Sequence, residues 1–255
     1  MLVSHKEYVR LVPNARCAVL MIHGICGTPD HFRDLIPLEA LVPENVSLCN
    51  ILLDGHGGTV SDFARTSGKK WRKQVFSAFD QLTQDHEKIY IVGHSMGTLF
   101  ALQLAAAYPE QIGGLFLLAV PMRPWVHPSM VPALLRLVFG KLDSVPPERA
   151  ALAKAAGIRT TRKLWKYIPW IPRFLDLFTE IHRTEQILEQ VDTECICFQS
   201  RKDELVWKRS EQVLERNGRI SVRKLMESSH FYYAEADKLL ILQEFKELIH
   251  EITHD

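Results

Sequence analysis

Five short runs of almost unbroken apolar residues restrict this chain more than any other feature: CAVLMIHG, VSLCNILLDGHGG, KIYIVGHS, GGLFLLAVP and ECICFQS. A strand that is apolar at nearly every position is covered on both faces, as in a parallel sheet between two layers of helices. A sixth run, RISVRKLM, reads as the last strand. Helical patterns stand between several of them. In WRKQVFSAFDQLTQDHE the residues Trp71, Val75, Phe79 and Leu82 fall on one stripe, and MGTLFALQLAAAYPE is apolar almost all round until Pro109 closes it. Strand and helix alternate, which predicts an α/β fold with a mostly parallel, doubly wound sheet.

One segment breaks the alternation. From Pro121 to about Glu185 the composition is helical but interrupted by Pro124, Pro128, Pro132, Pro146, Pro147, Pro169 and Pro172, with no strand of comparable strength. A chain of 255 residues is long enough for one large α/β domain carrying such an insertion. The expected division is a core of residues 1–120 and 186–255, with residues 121–185 forming a helical cap over one sheet end.

Composition narrows the function. With 31 basic and 30 acidic residues the formal charge is +1, which provides no long-range attraction toward nucleic acid or an anionic membrane as the main partner. The five cysteines form no CxxC pair and no Cys/His cluster of zinc-type spacing, so a reducing compartment and no metal are expected. The opening MLVSHKEYVR lacks the pattern of a secretory signal, and no run approaches the ~18 uncharged apolar residues of an integral membrane segment. The expectation is a cytoplasmic protein, monomeric or homodimeric, whose partner is a small molecule.

The chemistry concentrates where KIYIV turns into TLFALQLAAA. There Gly93-His94-Ser95-Met96-Gly97 has the form G-x-S-x-G, a strained strand-to-helix turn that projects the serine while glycines admit neighbouring backbone. A serine hydroxyl attacks acyl groups only beside a base and near donors for the developing oxyanion. The base is expected late in the chain, on the loop after RISVRKLM, at His230. The acid is expected just past CICFQS, at Asp203, with Glu204 as its neighbouring competitor. The order Ser95, Asp203, His230 is that of one of the three common triad arrangements. After the early strand, His23-Gly24-Ile25 places the Ile25 N–H where it can pair with the Met96 N–H as an oxyanion hole. His23 reads as structural, and nothing marks Cys26 as a nucleophile.

On these residues the chain resembles the α/β-hydrolase superfamily, and within it bacterial carboxylesterases and monoacylglycerol-lipase-like esterases. The segments IHGICGTPDHF, LLDGHGGT, RTSGKKW, IVGHSMGTLFALQLA, LLAVPM, RKDELV and ESSHF stand in that family's order. The resemblance implies an α/β-hydrolase fold, no cofactor, and hydrolysis of small or medium-chain esters with an apolar acyl part. An acyltransferase or thioesterase would use the same triad, and a non-catalytic binding protein would use the same scaffold. Two departures stand out: Asp54-Gly55-His56-Gly57 where many relatives have proline before GHG, and Ser228-Ser229-His230 where relatives commonly have Ser-Gly-His. Within the cap, Trp125, Met130, Leu134, Phe139, Trp165 and Trp170 are the candidates to enclose the acyl group.

Overall fold

The computed structural model describes residues 5–139 and 146–254, so the outermost expected domain limits, residues 1 and 255, lie outside the described residues. Seven strands form one sheet: β1 Tyr8–Arg10, β2 Cys17–Ile22, β3 Ser47–Ile51, β4 Lys88–His94, β5 Ile112–Leu118, β6 Cys195–Ser200 and β7 Ile220–Leu225. Their order is β1-β3-β2-β4-β5-β6-β7, and only the β1–β3 pair is antiparallel. The six strands expected from the apolar runs are all present. The addition is β1, three mostly exposed residues at the sheet edge, too short to stand out.

Side chains of β2 show why the runs lack polar positions. Leu20 and Ile22 point into a core with Phe63, Trp71, Phe79 and Phe100, while Val19 and Met21 point to the opposite face with Phe32, Phe116, Phe198 and Phe245. The first face is covered by helices α1 Val60–Arg65, α2 Gly68–Leu82 and α3 Met96–Ala107; α8 Glu235–His254 covers the second. The expected stripe of α2 is buried at Trp71, Val75, Phe79 and Leu82, and truncating such an aromatic to alanine costs about 3–5 kcal/mol. Ser67 caps α2 by accepting the Lys70 N–H.

Helix α3 is apolar all round because it is covered on every side. Its one buried amide, Gln103, donates to Glu180 and Thr184 on the helix that leaves the insertion. Between β5 and β6 that insertion forms α4 Met130–Phe139, α5 Pro147–Ala155, a short 3₁₀ helix Leu164–Trp170 and α6 Ile171–Ile187. Glu180, buried on α6, is held by Gln103 and Arg183, so it carries no unpaired charge. A further helix, α7 Arg209–Leu214, joins β6 to β7. No helix among the described residues is long and apolar enough to cross a membrane.

Candidate active site

All the candidate polar residues gather at the carboxyl ends of the parallel strands. Ser95 follows β4 with φ 50° and ψ −120°, a left-handed conformation that side-chain-bearing residues rarely adopt. The glycines around it are sites of close approach. A Cβ on Gly97 would lie 2.0 Å from the Ile22 carbonyl oxygen, and one on Gly93 would lie 2.8 Å from Thr98 Cα. The Ser95 N–H is fixed by the Leu118 carbonyl at 2.9 Å, which ties the turn to β5.

His230 and Asp203 meet across 27 residues of sequence, with His230 Nδ1 2.8 Å from Asp203 Oδ2. Asp203 Oδ1 also accepts the Leu205 and Val206 N–H groups, both at 2.8 Å, so the carboxylate is oriented before it touches the imidazole. Glu204, the competitor, does something else: its carboxylate accepts the His230 backbone N–H at 3.1 Å. Asp237 accepts the N–H groups of Met226, Glu227 and Ser228 and the Ser228 hydroxyl, holding the loop that carries His230. Ser229 is not among the described non-glycine residues with positive φ, so this position does not require the glycine common in relatives. Ser95 and His230 line the same cavity. Among the described residues no hydrogen bond of ordinary length joins Ser95 Oγ to His230, and such contacts tighten when substrate fills a site.

Two further histidines surround this pair. His94 Nε2 donates to the His230 carbonyl at 3.2 Å, His31 stacks on His94 with ring centres 3.7 Å apart, and His31 Nε2 meets Tyr233 Oη at 3.0 Å. Burial pushes both imidazoles well below their ordinary value, His31 to about 3, so they are neutral hydrogen-bonding groups at pH 7. Among the described residues no group of three His, Cys, Asp or Glu side chains is arranged to hold a metal ion.

The turn after β2 is held by two more. His23 Nε2 accepts the Leu53 N–H while Nδ1 donates to the Gly24 carbonyl. His56 Nε2 accepts the Cys26 N–H at 3.1 Å and its Nδ1 faces the Leu53 and Asp54 carbonyls, which places the proton on Nδ1. Cys26 itself has φ 58°, and burial pushes its thiol up to about 12, far from a thiolate. The N–H groups of Cys26, Gly27, Ser95 and Thr98 are all engaged, whereas those of Ile25 and Met96 have no acceptor among the described residues.

The cavity at Ser95 has a volume of about 400 Å³. From the insertion it is lined by Val126, Phe174, Leu177 and Phe178, and from the strand-end loops by Leu205, Val206 and Phe231. None of the six cap residues singled out from sequence lines it. Trp125 is exposed near Trp207, Met130 faces a smaller neighbouring cavity, and Leu134, Phe139 and Trp165 are exposed. Trp170 packs on Phe63 and donates its indole N–H to the Val60 carbonyl. Composition marks a residue as apolar, but helix phase decides which face it lies on. Leu205, Val206 and Phe231 carried one usable signal, adjacency in sequence to Asp203 and His230. A larger cavity of about 520 Å³ lies at the opposite end of the strands, around Arg16, Glu87 and Lys88, and has no serine or histidine in its lining.

Comparison with known proteins places this geometry in context. A family profile described as alpha/beta hydrolase fold matches residues 18–161. A thermostable monoacylglycerol lipase of Bacillus sp. (strain H-257) is 34% identical over 100 residues, which cover 39% of this chain and 39% of that protein. The match therefore spans about two fifths of this curated relative. Among solved structures, one from a study of two metagenome-derived lipolytic enzymes, LipS and LipT, superposes with a TM-score of 0.75 at 21% identity, over 98% of this chain and 99% of the other. A monoacylglycerol lipase of Paleococcus ferrophilus superposes with a TM-score of 0.68 at 15% identity, over 98% and 99% of the two chains. At such identities the superpositions speak for the fold.

Proposed function

The chain belongs to the alpha/beta hydrolase fold family, and on that premise we propose that it is a serine carboxylic ester hydrolase, acting on small or medium-chain esters through Ser95, His230 and Asp203. The observation that carries the reading is the oriented Asp203–His230 pair, 2.8 Å apart and facing the cavity that Ser95 enters in a strained backbone conformation.

In this reading Ser95 Oγ attacks the ester carbonyl while His230 takes its proton. Asp203 keeps the imidazole in one tautomer and stabilises the imidazolium. The unengaged N–H groups of Ile25 and Met96 receive the oxyanion; one such donor is typically worth a hundred- to a thousand-fold in turnover. The imidazolium then protonates the leaving alcohol, and water, activated by the same imidazole, releases the acyl group from the serine. The apolar lining of Phe174, Leu177, Phe178 and Val206 supports an apolar acyl part, and a volume of about 400 Å³ supports one of modest size. The insertion between β5 and β6, through Val126, Ala155 and α6, serves as the cap over this pocket.

The test is turnover of a p-nitrophenyl ester series of increasing acyl length beside monoacylglycerols, with Ser95→Ala as control. The wild type should turn over esters and react with a fluorophosphonate probe, and the variant should do neither. Unchanged turnover by Ser95→Ala overturns the assignment.

A further inference from the structure

The chain's near-neutral charge hides an asymmetry. Residues 121–185 contain eleven basic and five acidic residues, while the rest contains twenty basic and twenty-five acidic. From residue 149 to residue 175 there are seven basic residues and no acidic one. In the middle of this stretch the 3₁₀ helix Leu164–Trp170 leaves Trp165 64% and Ile168 63% exposed. Lys163 and Lys166 flank Trp165 and are exposed, as are Arg159 and Arg162. Among the described residues no carboxylate lies within ion-pair range of these four cations.

The apolar surface continues past the turn. Along α6, Ile171, Phe174, Leu175 and Phe178 are all exposed, at the i, i+3, i+4, i+7 spacing of a single stripe. Phe174 and Phe178, partway along it, also line the cavity at Ser95. A solvated helix face would not present two aromatics and two large aliphatics in a row. A tryptophan and an isoleucine raised between lysines have the composition of a segment lying at a lipid interface, where rings enter the acyl boundary and lysine stems reach back to the headgroups.

We propose that the patch from Arg159 to Phe178 docks on the surface of an anionic lipid bilayer. Trp165 and Ile168 insert, Arg159, Arg162, Lys163 and Lys166 meet the headgroups, and the α6 stripe leads an acyl chain from the lipid to the cavity. Charge complementarity and the run of exposed apolar residues that reaches the cavity lining at Phe174 and Phe178 favour lipid over an acidic protein surface, which would match the cations and leave the stripe bare. The delivery role rests on the ester-hydrolase reading; the docking does not.

The experiment is sedimentation of the full chain with vesicles of 30% phosphatidylglycerol in phosphatidylcholine, and with pure phosphatidylcholine, at 0.1 M and 0.5 M salt. Binding to the anionic vesicles should be at least about tenfold tighter than to the neutral ones and should weaken at high salt. Lys163→Glu with Lys166→Glu should lose at least about tenfold, and Trp165→Ala with Ile168→Ala should lose binding at both salt concentrations. Thermal melts confirm that the variants fold, and Lys163→Glu with Lys166→Glu should keep its turnover of a water-soluble short ester within about twofold, because neither lysine lines the cavity. Equal binding to both vesicle types, or binding unchanged by the lysine substitutions, overturns the docking. So does self-association through the patch, seen as a dimer that the tryptophan and isoleucine substitutions dissolve, with no vesicle binding. Vesicle binding without any ester turnover supports the docking and overturns the hydrolase reading instead.

Discussion

The His94 imidazole reaches 3.2 Å to the carbonyl oxygen of His230, so the residue before the proposed nucleophile holds the backbone of its proposed base. Glu204 holds the other side of the same residue through its N–H. His230 is thus clamped at both backbone polar groups, while its side chain is oriented by Asp203.

His94→Phe removes the donor and keeps a ring against His31. Turnover should fall about tenfold with KM nearly unchanged, because a displaced base costs proton transfer rather than binding. His94→Gln, which restores an N–H donor, should recover part of the loss. Steady-state kinetics on one soluble ester measures both; a change confined to KM contradicts the positioning role.

Asp203 and Glu204 should separate by the size of their effects. Asp203→Asn retains an oxygen for the Leu205 and Val206 N–H groups but loses the carboxylate at His230 Nδ1, and turnover should drop about a thousandfold or more. Glu204→Gln loses only a charge-assisted bond to a backbone N–H and should cost about tenfold or less. Comparable losses in the two variants would reassign the acid.

Gly97→Ala should be among the most damaging single-methyl changes in the chain. Its Cβ would sit 2.0 Å from the Ile22 carbonyl oxygen, and both partners are backbone of β2 and α3. A loss of about 3 kcal/mol in denaturant unfolding is expected. Gly218→Ala is the control: its Cβ would meet nothing within 4 Å, and stability should change little.

Acid should destabilise the fold early. His23, His31, His56 and His94 are buried, and burial holds each imidazole below its ordinary value, to about 3 for His31 and about 4 for His56. In the unfolded chain they titrate near pH 6.5, so between roughly pH 6.5 and 4 that state binds protons the native state refuses. Stability is therefore full above the unfolded value and falls as pH drops through it, by roughly 1 kcal/mol per pH unit for each imidazole. Unfolding free energies measured from pH 7 to 5 should show this slope. His31→Phe should reduce it by about one proton's worth, and an unaltered slope would falsify the linkage.

Leu177→Trp should shorten the preferred acyl chain. Leu177 lines the cavity from α6, so a larger ring subtracts volume there without touching Ser95, Asp203 or His230. The optimum in a p-nitrophenyl series should move to shorter esters; an unmoved optimum places the acyl group elsewhere.

The chain's own residues determined the strands, the serine turn and the chain order of the candidate triad. Apolar runs record burial on both faces, and a glycine-serine-glycine turn records backbone crowding, so both are local and leave a local trace. The lining of the cavity at Ser95 was not legible in this way. Trp125, Trp165 and Phe139 are apolar for reasons that the local pattern cannot separate from pocket lining; the phase of α6 against α3 turns Leu177 toward the cavity, while Trp165, on the 3₁₀ helix before α6, stands in solvent. The roles of His31, His56 and His94 were likewise decided only in three dimensions. A hydrogen bond such as the one from His94 to His230, between residues 136 positions apart, imposes no periodicity on either segment, so only the packed sheet edge brings its partners together.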